Sequence, residues 1–268
     1  MAENTAMRDN NHINSVERAL KILEILGESP RPLTLTEVAN QAELTKTTTQ
    51  RFMNTLSSLG YLNREENKRY FLGTKTLSLG FQFLNTSNLI TMAKPYLDEL
   101  SSQVEMTVNL GVLDNCDVLI LHRKEVRKFF NFDIHSGSKL FAYGSALGSV
   151  LMAGLSDEEI DRRLDTMNIQ QITPKTITSK KGIMEQIFKV RETGYAISDQ
   201  EQTMDLCSLA APLINKEKKT VAAINISLDP MKRNNPNIFE SAKTKLFQKG
   251  ELISRLLGYD GSYPKIFY

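Results

Sequence analysis

The sequence predicts an α+β chain of two domains: a small winged helix-turn-helix, then a helical connector, then a larger domain mixing strands and helices. Three observations carry this. A length of 268 residues is long for one compact domain and comfortable for two. Before residue 73, apolar residues recur at helical spacing in three successive segments, and two short extended stretches follow. From residue 106 onward, strand-like and helix-like segments alternate.

Bulk properties narrow the class. With 41% hydrophobic and 24% charged residues the composition is that of a globular chain. The longest apolar runs, residues 118–121 and 221–224, are far short of the roughly 20 residues that cross a bilayer. No basic, apolar, small-residue leader opens the chain, so a cytoplasmic location is expected. Residues 1–12 are polar, lack an apolar period and are expected to form a flexible arm. Cys116 and Cys207 make no metal-ligand spacing with each other or with His12, His122 and His135, so both are expected as reduced thiols, with no metal and no cofactor. Enzymatic signatures are missing: there is no GxSxG elbow, no GxxxxGK phosphate loop, and the histidines are far apart. The expectation is that the chain is not an enzyme.

The first helix is read from Val16, Ala19, Leu20, Leu23 and Leu26, with Asn14 as its N-cap and Glu17 reaching back to it. A loop holding Pro30 and Pro32 ends it. Thr34 and Glu37 form a capping-box pattern for a short second helix burying Leu35, Val38, Ala39 and Ala42. Thr45 then caps a third helix running to Leu59, where Gly60 supplies a left-handed stop. Short helix, tight turn, longer helix is the helix-turn-helix order.

The third helix divides by face. Phe52, Met53, Leu56 and Leu59 form the inward stripe. Lys46, Thr47, Thr48, Gln50, Arg51 and Asn54, with the capping Thr45, form an outer face suited to base edges and phosphates. Net charge does not carry this reading. The whole chain is +2, and residues 1–72 hold nine basic and nine acidic side chains. Distribution does: residues 44–64 contain no carboxylate, so the segment that would meet phosphate is cleared of negative charge. Residues 61–63 and 69–72 are read as a hairpin, a wing whose Arg64, Lys68 and Arg69 stand near flanking phosphate while Glu65 and Glu66 oppose it.

Leu77, Phe81 and Leu84 mark a further helix, and Leu89, Ala93, Tyr96, Leu100 and Val104 another, which Pro95 starts or bends. Residues 107–113, 118–122, 129–134, 195–198, 208–214 and 220–228 read as strands. Residues 145–153, 157–166 and 180–192 read as helices, the middle one opened by a Ser156/Glu159 capping box. In the last strand Ile224, Ile226 and Leu228 face one way, so Asn225 and Ser227 share the other face, where they need each other or a ligand as partners. The helix opened by Gly144 to Gly148 has free amides able to hold a carboxylate. Arg123, Arg127, Lys128 and His135 lie near the same place and are expected chiefly as exposed charges.

The runs SVERALKILEIL, LTLTEVANQAELTKTTTQRFMNTLSSLGYL and RYFLGTKTLSLG resemble the DNA-binding domain of the IclR family of transcriptional regulators. The resemblance continues through AKPYLDELS, GSALGSVLMAGL, RETGYAISDQEQ, SLAAPL and VAAINIS, covering roughly residues 14–258. NKRYFLGTKTLSLGF, SLAAPL and AINIS look most like the PcaR/PcaU-type branch, whose members answer to aromatic acids or their breakdown products. The resemblance implies a winged helix-turn-helix over residues 13–73, linker and dimerisation helices over 74–104, and a GAF-like effector-binding domain with an antiparallel sheet over 105–260. It implies a homodimer, or a tetramer made by pairing dimers, on double-stranded operator DNA, acting as repressor or activator under a small carboxylate. It places effector contacts on the amides near Ala146 and Leu147 and on Ser198, Ser208, Asn225 and Ser227. Relatives that bind small oxo-acids often carry Cys and Ser where this chain has Ser208 and Asn225, which favours a different or larger acid. Alternatives are a sensor acting through protein contacts, or a regulator of another carboxylate pathway.

Overall fold

The computed structural model describes residues 12–126 and 134–268. The chain divides into two compact units, the first closing at Thr86 and the second opening at Ser87. The expected arm at 1–12 lies outside the described residues except for His12, as does nearly all of the strand expected over 129–134 together with Arg127 and Lys128.

In the first unit α1 (Asn14–Glu28) is followed by β1 (Leu33–Thr34), α2 (Leu35–Ala42), α3 (Lys46–Ser58), β2 (Leu62–Arg64), β3 (Arg69–Leu72) and α4 (Thr74–Thr86). Its core is Ile22, Leu26, Leu33, Val38, Ala42, Met53, Leu56, Leu62 and Tyr70. Two details of α1 differ from expectation. Ile13, not Asn14, occupies the cap position and makes no side-chain hydrogen bond there, while Glu17 Oε2 accepts from His12 Nε2 at 2.8 Å. The buried stripe is Ile22 and Leu26, whereas Val16 and Leu20 are 52% and 53% exposed. In α3, Leu59 is likewise exposed, and Thr49 is the buried residue in its place, its hydroxyl donating to the Thr45 carbonyl at 3.0 Å.

The α2 capping box forms in full: the Glu37 amide donates to Thr34 Oγ1 at 3.3 Å and the Thr34 amide to Glu37 Oε2 at 2.7 Å. β1, a strand where only a loop was expected, pairs antiparallel with β3, opposing Leu33 to Tyr70, while β2 and β3 form the wing. The turn closes through Lys68 in the left-handed region at φ 66°.

The second unit holds α5 (Asn88–Val104), β4 (Thr107–Asp114), β5 (Asp117–Lys124), β6 (Lys139–Phe141), α6 (Ala146–Ala153), α7 (Asp157–Thr166), α8 (Lys180–Thr193), β7 (Ala196–Asp199), β8 (Cys207–Ile214), β9 (Thr220–Leu228), α9 (Pro230–Asn234) and α10 (Pro236–Leu256). Pro95 lies inside α5, whose buried side is Ile90, Ala93, Leu97, Leu100 and Ser101. The sheet runs β6-β5-β4-β9-β8-β7 with every neighbouring pair antiparallel. β6, α9 and α10 were not expected. α5 and α10 pack on each other and on the sheet, and α6 packs on β4, β7, β8 and β9.

α6 is buried along all eight residues. It comes this close to the loop before it because Gly148 has no side chain: a Cβ there would sit 2.0 Å from the Ala142 carbonyl oxygen. Gly144, at φ 68°, makes the left-handed turn that delivers the chain into α6. Ser156 caps α7 through the Glu159 amide, but the Glu159 carboxylate goes to Arg162 and Arg163 instead of closing a box.

Candidate functional site

In the first unit, α3 presents Lys46, Thr47, Arg51 and Asn54 as exposed residues, with Thr48 and Gln50 half-buried. Thr45 caps the helix by accepting from the Thr48 amide at 3.2 Å, and its hydroxyl also meets that of Thr48 at 2.9 Å, so these two side chains shape the helix start. Gln50 Nε2 donates to Asn54 Oδ1 at 2.7 Å and reaches Tyr70 Oη at 3.4 Å. Among the described residues Lys46 and Arg51 have no ion-pair partner, and the first turn of α3 carries no acid.

The wing residues part ways. The Arg64 guanidinium stands 5.3 Å from the Tyr70 ring centroid, with its side chain at the surface. Arg69 is engaged inside its own unit, donating to the Pro32 carbonyl at 3.1 Å and to Glu37 Oε2 at 3.4 Å. Glu37 is thereby a hub, and hydrogen bonds from Arg31 first, then from the Thr34 amide and hydroxyl, lower its pKa to about 2.

In the second unit the register assembles one polar row. Asn109 opposes Asn225 across β4 and β9, Thr107 opposes Ser227, Ser227 opposes Ser208 on β8, and Ser208 opposes Ser198 on β7. Ala210 opposes Asn225 and packs with Ala146 and Leu147 in one core cluster, so the row lies on the face that α6 covers. Ser198, Ser208, Asn225 and Ser227 are all buried, yet Ser208 and Asn225 keep 8% and 6% exposure. Ser198 donates to the Gly144 carbonyl at 3.0 Å, tying β7 to the amino end of α6. Ser145 caps α6 through the Gly148 amide, and the amides of Ala146 and Leu147 donate to no side chain or loop carbonyl among the described residues.

Two members of this site were missed. Asn109 donates through Nδ2 to Asn225 Oδ1 at 2.8 Å and to Ser227 Oγ at 3.4 Å. A lone Asn amid Val, Leu and Gly was as strong a signal as Asn225. Glu201 is 5% exposed beside Gly144, accepts from Gln186 Nε2 at 3.3 Å, and burial pushes its carboxyl above the usual range. Arg123 departs from the expectation of an exposed charge. Its side chain is only 6% exposed, not a surface charge, and Nη1 donates to Asn109 Oδ1 at 2.8 Å. His135 remains exposed, hydrogen-bonded to Ser138. A cavity of about 450 Å³ between α8 and β7 is a separate feature, since none of Ser198, Ser208, Asn225 or Ser227 lines it. Both cysteines are free thiols, and no cluster of His, Cys, Asp or Glu among the described residues could hold a metal.

A winged helix-turn-helix with an acid-free outer helix face, on the same chain as a separate antiparallel-sheet domain, is the architecture of a DNA-binding transcriptional regulator. Residues 15–66 match the IclR helix-turn-helix domain and residues 81–255 the bacterial transcriptional regulator IclR C-terminal domain. The chain belongs to the IclR family of transcriptional regulators. It is 30% identical to the HTH-type transcriptional regulator XynR of Escherichia coli (strain K12), over 92% of this chain and 98% of that one. It is 29% identical to the Pca regulon regulatory protein of Pseudomonas putida, over 82% of this chain and 75% of that one. The crystal structure of a putative transcriptional regulator, RHA06195, from Rhodococcus sp. RHA1 superimposes with a TM-score of 0.77 at 31% identity, covering 92% of this chain and 99% of that one. The relatives are regulators and not enzymes, and near-equal identity to several of them leaves the PcaR/PcaU-type branch unselected. No helix among the described residues is long and apolar enough to cross a membrane.

Proposed function

We propose that the chain binds a specific operator through the outer face of α3 and that a small organic acid, aromatic or the catabolite of an aromatic, controls this binding from the polar row. The observation that carries the reading is the face itself: Lys46, Thr47 and Arg51 are exposed, unpaired by any carboxylate among the described residues, and held on a helix locked by Thr45 and Thr49. Gln50, Asn54 and Arg51 supply the base-edge donors and acceptors, Lys46 and Arg64 the phosphate contacts. Arg69 is assigned to the wing's own structure. In the second unit the donors are the Ala146 and Leu147 amides, Ser198, Ser208, Asn225 and Ser227. Ser208 and Asn225, standing where relatives that bind small oxo-acids often carry Cys and Ser, support a different or larger acid, and an aromatic acid is the class proposed here.

The working form is a homodimer. α4 buries none of its residues, with Leu77, Phe81 and Phe83 74%, 60% and 55% exposed, and Val16 and Leu20 of α1 are uncovered as well. A second copy covering these faces sets two recognition helices on half-sites about 34 Å apart or a multiple of that. Acid binding then shifts the equilibrium between two arrangements of the pair by roughly 1 to 3 kcal/mol. The test has two arms, selection of a duplex from a random pool and thermal-shift titration with aromatic and dicarboxylic acids. A selected duplex whose affinity changes with an acid that also raises the melting temperature is the expected result. A protein that selects no duplex refutes it and leaves the sensor acting through protein contacts. No shift with any acid refutes the acid assignment.

A further inference from the structure

We infer that Arg123 fixes the hydrogen-bond polarity of the acid site, so that Asn225 presents its amide donor and the site selects a ligand offering an oxygen acceptor in place of a donor. This rests on the polar row being the effector site.

The inference follows from what each group can do. A guanidinium has five N–H donors, no acceptor, and stays charged. Arg123 Nη1 donates to Asn109 Oδ1 at 2.8 Å, which decides which end of the Asn109 amide faces it. Asn109 must therefore turn Nδ2 the other way, and there it donates to Asn225 Oδ1 at 2.8 Å. With its oxygen engaged, Asn225 has only Nδ2 left, and that group donates to no protein atom among the described residues. The direction set on β5 thus passes through β4 to β9 and leaves a donor under α6. Ser227 Oγ receives the same Asn109 amide at 3.4 Å, which frees its hydroxyl proton to donate as well. The Ala146 and Leu147 amides add donors from the other side. These four donors favour a carboxylate or carbonyl oxygen, while Glu201, the carboxylate beside Gly144, is held by Gln186 Nε2 at 3.3 Å and burial favours its protonated form.

Arg123 itself is built in. Its side chain is 6% exposed, Nη2 donates to Glu125 Oε1 at 2.9 Å, and Nε is buried without a partner among the described residues. It does not touch the ligand in this scheme and acts as a positioning residue through Asn109.

The test uses matched probes, benzoate with benzamide and pyruvate with pyruvamide, titrated calorimetrically into the full-length protein. An amide can serve either as donor or acceptor, whereas the acid anion can only accept. The wild-type protein should prefer at least one acid over its amide. In Asn109→Asp, an isosteric change, the new carboxylate holds Arg123 and can only accept from Asn225, so the Asn225 amide rotates and turns its oxygen to the ligand. The acid-to-amide preference should fall by roughly tenfold to a hundredfold, the worth of a hydrogen bond to a charged group. Arg123→Lys, still donor-only, should keep the wild-type preference, and Arg123→Met should bring the ratio toward one. The carboxylate introduced in Asn109→Asp disfavours an anion by charge alone, so Asn109→Leu, which adds no charge and releases both ends of the Asn225 amide, is measured beside it and should bring the ratio toward one. A wild-type ratio in Asn109→Leu, with both members of a pair weakened equally, overturns the proposal, as does a wild-type protein that binds neither acid or does not distinguish acid from amide. Acid affinity unchanged by Asn225→Ala would instead show that the effector-site reading itself is wrong.

Discussion

Replacing Gly148 by alanine is expected to destabilise the second unit by about 2 kcal/mol, despite alanine's better helix propensity. In an open helix the change would gain up to about 1 kcal/mol. Here the new methyl falls 2.0 Å from the Ala142 oxygen, 2.5 Å from its Cα and 2.6 Å from its carbonyl carbon. All three are backbone atoms, so no side-chain rotation relieves them. Ala142 is itself fully buried and donates its amide to the Cys116 carbonyl at 3.2 Å. Relief therefore requires α6 to lift, and overpacking of this kind costs about 1 to 3 kcal/mol, the upper end applying where backbone must move. The net loss corresponds to a melting temperature lower by about 4 to 8 °C for a unit of this size. Because α6 carries the Ala146 and Leu147 amides, acid binding should weaken in the same variant. Differential scanning calorimetry, with hydrogen exchange on α6, reads both effects. An unchanged or raised transition would refute the claim that close backbone approach fixes this helix.

Other expectations follow from single contacts. The lowered Glu37 pKa means that its contribution to stability is present above the ordinary carboxylate value of 4.5 and is lost as pH falls from there toward about 2. Glu37→Gln should flatten that acid limb in denaturant midpoints, and an unchanged limb would show that the hub does not form. Cys207 is buried and donates to Asp199 Oδ1 at 3.1 Å, and burial first and then Asp199 push its thiol up to about 12. Iodoacetamide at mildly alkaline pH should modify Cys116 in the native protein and Cys207 only after unfolding, as read by peptide mass spectrometry. Phe81→Glu on the exposed face of α4 should convert the proposed dimer to monomer in light scattering, and a persisting dimer would place the interface elsewhere.

What was legible in the sequence was what local chemistry decides. Thr34 with Glu37 fixes the start of α2, and Thr45 and Gly60 fix the two ends of α3, each from within a few residues, whereas the end of α2 lies at Glu43 in the left-handed region and no sequence signal marked it. The register of α1 was not legible, because it carries two apolar stripes, Ile22 with Leu26 and Ile13 with Val16 and Leu20. Periodicity gives their angle and not which one meets the core. β1 is two residues long and exists only because Tyr70 and Arg69 lie alongside it. In the second unit, alternation placed Asn225 and Ser227 on one face. The partners of that face come from long-range register: Asn109 lies 116 residues before Asn225, and a register shift at Leu110/Gly111 helps set which β5 residues meet β4. No local pattern could turn Arg123 from an exposed charge into a buried one. α10 is different, since Asn235 before Pro236 and then Phe239, Ala242, Leu246 and Ile253 were an available helix signal that went unused.

The claim that α3 reads DNA is tested most directly by the double substitution Gln50→Ala, Arg51→Ala, with affinity for a selected duplex measured by fluorescence anisotropy at fixed salt. Both residues lie at or near the surface, so the fold, the dimer and acid affinity should be unchanged. Specific binding should fall by roughly a hundredfold or more, while Lys46→Ala alone should weaken all sequences alike and flatten the salt dependence. Retention of wild-type affinity and sequence preference in the double variant would contradict the assignment of the recognition helix.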